Sequence, residues 1–153
     1  MTTKALFSVL FGCIVLLISP ARSETITVSN TAELEEALEY ANSIAGNSTI
    51  LLRDGTYTLT GTLWITAPNV TIAAESGSPE KVIIQGDAMS STARVGNIFT
   101  VAASHFQLRD VTLQNSRWHL IQVKGENDAD YLVVRNCILR DAYQQLLKVT
   151  LDP

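Results

Sequence analysis

The 153-residue chain carries 11 Lys and Arg against 15 Asp and Glu, a formal net charge of −4, and 46% of it is hydrophobic. Its length bounds it to one domain with enough chain for a real core. An acidic chain with no dense Lys/Arg run excludes nucleic acid as a partner.

Lys4 precedes an apolar run from Ala5 to Ile18, and Ala21-Arg22-Ser23 places small residues at the positions that a signal peptidase inspects. This predicts a signal peptide over residues 1–23 and a secreted or periplasmic protein. About fourteen apolar residues fall short of the roughly twenty needed to span a bilayer, so no stable membrane anchor is expected after cleavage. Leu10-Phe11-Gly12-Cys13 is similar to a lipoprotein cleavage box, but the apolar run continues past Cys13. Removing 23 residues, Lys4 and Arg22 among them, leaves 130 residues with a net charge of −6. Cys137 is then the only cysteine, so no internal disulfide forms and the fold must rest on packing and backbone ladders.

Residues 24–48 form a lead strand, Thr25 to Val28, and a helix. Asn30 can cap the helix, Glu33 stands where a capping box needs it, and Leu34, Ala37, Leu38 and Ala41 fall on one face at helical spacing. Glu33, Glu35, Glu36 and Glu39 fill the other face, and Gly46-Asn47 ends the helix. A charged helix with one apolar face suits a cap over whatever follows.

From residue 49 to 153 short apolar alternations fall into three families in rotation. The first runs Ile50/Leu52, Val82/Ile84, Val111/Leu113 and Cys137/Leu139. The second runs Leu63/Ile65, Phe99/Val101, Ile121/Val123 and Leu147/Val149, and the third Val70/Ile72, Phe106/Leu108 and Leu132/Val134. A shift of twenty-six residues superposes the last two rounds, with Leu108-Arg109-Asp110-Val111 landing on Val134-Arg135-Asn136-Cys137. Three strands per turn with alternate side chains inward describe an all-β, three-sided, single-stranded parallel β-helix solenoid of about four coils, behind the capping helix. The turns at Arg109-Asp110 and Arg135-Asn136 are too short for a crossover helix. The chain stops at Leu151-Asp152-Pro153 straight after a second-family strand, which predicts a C-terminal end that is incomplete, a fragment of a longer protein, and self-association through the open last coil.

Asn30 to Gly86, with LRDGTYTL, VTIAAESGSPEKVIIQGD and the acidic helix before them, resembles the start of right-handed parallel β-helix proteins of the pectin-lyase-like superfamily, nearest to the bacterial exported alginate-lyase and chondroitinase-like polysaccharide lyases. The matching motifs specify turn geometry, Gly55 above all, and not catalysis. The resemblance implies a right-handed coil and, for an enzyme, proton removal beside a uronate carboxylate by a Lys or Arg, with Ca²⁺ or another cation on that carboxylate. The outward first-family residues, Leu51, Ile83, Thr112 and Ile138, offer no such group.

The outward second-family row is Trp64, Thr100, Gln122 and Lys148. Lys148, and Lys124 just beyond its strand, are candidate bases or carboxylate ligands, or simply solvated edge charges. Arg117-Trp118-His119 in one turn and Arg140 with Tyr143-Gln144-Gln145 in the next should stack about 4.8 Å apart. They form either a sugar-binding patch or a turn that Trp118 and Tyr143 close by folding down. Glu126, Asp128 and Asp130 are the densest oxygen donors, a candidate Ca²⁺ loop or a solvated acidic turn. Asn115 with Asp141, Arg109 with Arg135 and Asp110 with Asn136 are expected as structural ladders. The function expected is an exported protein that binds or processes an acidic extracellular polysaccharide, by lyase chemistry if it is an enzyme. The alternatives are a non-catalytic adhesion module and an inactive remnant.

Overall fold

The computed structural model describes residues 23–151, so the signal peptide read over residues 1–23 falls almost wholly outside the described residues, and the structure holds no evidence of a signal or of secretion. Among the described residues no helix is long and apolar enough to cross a membrane.

The capped helix forms as the sequence implies. In α1 (Thr31–Ser43) the Asn30 side chain accepts from the Glu33 N–H at 3.0 Å, and the Glu33 carboxylate reaches back to the Ser29 N–H at 2.7 Å. Leu34, Ala37, Leu38 and Ala41 are buried, which leaves the Glu face outward. Past the C-cap Ile44 the chain leaves the helix through Ala45 and Gly46, with φ of +62° and +87°, and the absent Cβ of Gly46 would overlap the Pro68 carbonyl oxygen.

The strands assemble into three parallel sheets. The first contains β1 (Glu24–Val28), β2 (Ser48–Leu52), β5 (Val70–Ala74), β8 (Gln107–Arg109) and β11 (Val133–Arg135) in that order. The second runs β3 (Gly55–Thr58), β6 (Val82–Gln85), β9 (Thr112–Gln114), β12 (Ile138–Leu139). The third runs β4 (Leu63–Ile65), β7 (Phe99–Val101), β10 (His119–Lys124), β13 (Gln145–Thr150). The last pairing in each sheet keeps a shift of twenty-six, with Val134 beside Leu108, Leu139 beside Leu113 and Lys148 beside Gln122.

This arrangement corrects the expected fold class. The chain is not clearly an all-β, single-stranded right-handed parallel β-helix, nor a solenoid of about four coils. It is three separate parallel sheets of five, four and four strands with one α-helix. Ladder bonds run only within a sheet, and the rotation proposed from the sequence breaks at its start. Ile50 pairs with Ile72 in the first sheet, while Tyr57 takes the place beside Ile84 in the second. Outward Leu51 therefore lies beside Ala73, and Thr56 heads the row of Ile83, Thr112 and Ile138. Apolar alternation reports which face of a strand is buried and says nothing about its neighbour. The lead strand, read as separate from the repeats, is paired with β2 along its whole length.

Corners between sheets are made by residues in the left-handed region. Asn69, His105 and Tyr131 precede the first sheet's strands with φ of 57°, 60° and 57°. Asp110 and Asn136 do the same before the second sheet, and Asn115 and Asp141 after it. Asn and Asp tolerate this conformation better than other L-residues, which explains their recurrence. The expected side-chain ladder forms at one corner, where Asn136 Nδ2 donates to Asp110 Oδ1 at 2.7 Å. At another, the Tyr131 ring stacks on His105 at 4.6 Å.

The inward rows meet in one apolar interior, with Phe99 and Phe106 at 5.5 Å and Leu108, Leu113, Ile72 and Ile84 fully buried. Burial fades in the last strands, where Val134, Cys137 and Leu139 are half-buried and Leu147 and Val149 exposed. Cys137 is small and partly buried, and burial raises its thiol pKa, the opposite of a reactive thiol. In urea denaturation we expect Leu108→Ala to cost about 2–5 kcal/mol, as deletions from filled cores do. Asn30→Ala should cost about 1 kcal/mol through loss of the helix cap, and Val133→Thr, on an exposed edge, less than about 0.5 kcal/mol.

Candidate carbohydrate-binding corner

The corner between the second and third sheets brings together four of the residues singled out from the sequence. An isolated parallel bridge joins Ser116 to Ala142, and the Tyr143 N–H donates to the Ser116 carbonyl at 3.0 Å. Arg117 therefore lies beside Tyr143, and Trp118 beside Gln144, whose N–H donates to the Trp118 carbonyl at 3.1 Å. Trp118 rests on the backbone of the preceding turn. A Cβ added to Gly96 would stand 2.7 Å from its Cε3 and Cζ3 atoms, so the indole occupies space that only glycine leaves. The ring is nonetheless 43% exposed, and the Arg117 guanidinium carbon lies 5.2 Å from its centroid. Trp118 folds down onto the turn and still presents surface, and Tyr143 is 54% exposed.

Arg140, three residues before Tyr143, ends a polar ladder along the second sheet that the sequence did not reveal. Gln85 Nε2 donates to Thr58 Oγ1, Gln114 Nε2 to Gln85 Oε1 at 2.7 Å, and Arg140 Nε to Gln114 Oε1 at 2.8 Å. The ladder orients the guanidinium, and Asp141 lies 3.7 Å from it. The signal was present as Gln85, Gln114 and Arg140 at ladder positions, but it becomes visible only once the register is known.

His119 does not belong to the exposed patch. It is 4% exposed, and its Nδ1 atom has no hydrogen-bond partner. Burial, and then the Lys148 charge, lower its pKa, while the backbone at Gln145 and Trp118 acts the other way. Below it, Asn97 ties the wall of the third sheet together: it donates to Thr100 Oγ1 and Gln122 Oε1 and accepts from the His119 N–H. The row Trp64, Thr100, Gln122, Lys148 is in register across all four strands.

The other candidates lie apart. Lys124 Nζ is 3.0 Å from Glu126 Oε1, and the same carboxylate group accepts from Thr150 Oγ1 at 2.8 Å. Its own backbone N–H, and then these two bonds, lower the Glu126 pKa to about 2. Asp128 ends the short 3₁₀ turn Gly125–Asn127 in a left-handed conformation. Among the described residues no three His, Cys, Asp or Glu are grouped so that they could hold a metal ion. Lys124 is thus paired with Glu126.

No family model matches the chain, and no curated protein or solved structure shows significant similarity to it.

The lowered His119 pKa has a definite sign. A group whose folded pKa lies below its unfolded value contributes stability above the unfolded value, here 6.5, and that stability is lost as pH falls through and below it. The urea midpoint should therefore drop between pH 7 and pH 5, and the drop should largely disappear in His119→Gln. Asp87 accepts from the Arg94 and Val95 N–H groups and is lowered from 3.8 to about 2, so its contribution should fade only below about pH 4.

Proposed function

We propose that the corner formed by Arg117, Trp118, Arg140 and Tyr143 binds an acidic polysaccharide. The half-exposed Trp118 ring seated on Gly96, with the Arg117 guanidinium over it, carries this reading. A sugar ring offers an apolar face for indole, its hydroxyls suit amides, and a uronate carboxylate suits guanidinium. The likeness of LRDGTYTL and the following segment to pectin-lyase-like polysaccharide enzymes directs the choice of a uronate polymer. Binding rather than catalysis is the leading reading, because among the described residues no group that could hold a cation on a uronate carboxylate is found at the corner.

Lyase chemistry is the second reading, and Lys148 favours it. Lys148 projects from β13 beside Gln122, next to the corner, and among the described residues no carboxylate pairs with it. In titration calorimetry with a polyuronate oligomer we expect Trp118→Ala and Arg117→Ala each to weaken binding about fivefold to tenfold, the loss of roughly 1 kcal/mol. Tyr131→Ala, on a different corner, should leave binding unchanged. No binding by the unmodified protein would leave a rigid non-catalytic module as the reading. An unsaturated product that forms in the unmodified protein and is lost in Lys148→Met would establish the lyase.

A further inference from the structure

A second recessed surface lies between α1 and the turn into β4, separate from the corner just described. Its volume is about 310 Å³, at the lower end of the range for small-molecule sites. Glu35 and Glu39 stand one helical turn apart on one wall, Leu38 is in the floor, and Thr60, Thr62 and Trp64 form the other wall. Trp64 is 50% exposed, so its ring is an open surface. The two walls are fixed to each other. Asn42 at the end of α1 donates to the Trp64 carbonyl at 2.8 Å and accepts from the Thr66 and Ala67 N–H groups.

Among the described residues the carboxylates lining this cleft have no ion-pair partner. From Glu24 to Leu52 the chain has five Glu and no Lys or Arg. Glu33 is spent on the helix cap and Glu24 accepts from Tyr40, but neither Glu35 nor Glu39 takes part in an ion pair or a side-chain hydrogen bond among the described residues. Among the described residues the next cations along the chain, Arg53 and Lys81, face Glu75 and Asp54. Two unpaired carboxylates beside an open indole face, in a cleft of this size, select a cation that also has an apolar surface. Carboxylates supply charge and accept N–H bonds, and the indole face attracts the same charge through its quadrupole. We propose that the α1–β4 cleft binds a protonated amine carried on a body about the size of one sugar ring, as in an amino sugar or a short alkylammonium chain.

Three probes separate the sources of such a ligand: glucosamine, its neutral N-acetyl counterpart, and n-butylammonium. Each is titrated into the ¹⁵N-labelled protein at low ionic strength while the indole N–H resonances of Trp64 and Trp118 are followed. Saturable shifts of Trp64 with glucosamine or n-butylammonium, and none with N-acetylglucosamine, are expected. Response to glucosamine alone assigns the site to amino sugars, and equal response to both amines assigns it to alkylammonium groups in general. The double variant Glu35→Gln/Glu39→Gln, with an unchanged thermal midpoint, should weaken binding about threefold to tenfold, the scale of two partly exposed ion pairs. Equal binding of the neutral sugar, shifts of Trp118 only, or no response to either amine would overturn the proposal. None of these outcomes depends on the polyuronate experiment, because the two surfaces are read by different indoles.

Discussion

Parallel backbone pairing in register is the constraint on which the rest of this structure depends. Each inner strand is bonded to a strand on either side, and the ladder closes only where inward residues coincide, as Ile72 with Leu108 and Leu108 with Val134. An offset of one residue would turn Leu108 to the outside and Gln107 or Arg109 into the apolar interior. The short corners enforce this register, since Asp110, Asn115, Asn136 and Asp141 hold left-handed bends that carry the chain from one sheet to the next within a few residues.

Side-chain polarity follows from the same register. Because equivalent positions lie next to one another, a polar residue at one level finds its partner at the next, as in the row from Thr58 through Gln85 and Gln114 to Arg140. Asn97 links levels in the third sheet in the same way. These rows satisfy polar groups that strands of two to six residues could not satisfy alone. They also orient the groups that reach the surface, which is how Arg140 acquires a defined position on an otherwise short and exposed strand.

Charge and aromatic surface are distributed unevenly along the molecule. The helix end is acidic and borders Trp64, while Arg117 lies over Trp118 and Arg140 and Lys148 flank Tyr143 in sequence in the later strands. Two indoles on the same small domain therefore sit in opposite electrostatic settings. Trp118 is held by the absence of a side chain at Gly96, and Trp64 by the hydrogen bonds from Asn42 to the backbone on either side of Ile65.

The sequence by itself determined the helix, its cap and its buried face, because these depend on residues within a few positions of one another. It also determined the inward residues of nearly every strand, since alternation marks a buried face, and the twenty-six-residue offset, since two rounds share one pattern. It did not determine which strand lies beside which at the start of the chain. Ile50 and Tyr57 both alternate correctly, and only the non-local ladder decides that the first joins Ile72 and the second Ile84. The organisation into three separate sheets, the burial of His119 behind an exposed Trp118, the capture of Glu126 by Lys124 and Thr150, and the cleft between α1 and β4 were decided by tertiary structure alone. Each depends on which distant groups the backbone brings within a few ångströms, and local spacing carries no record of that.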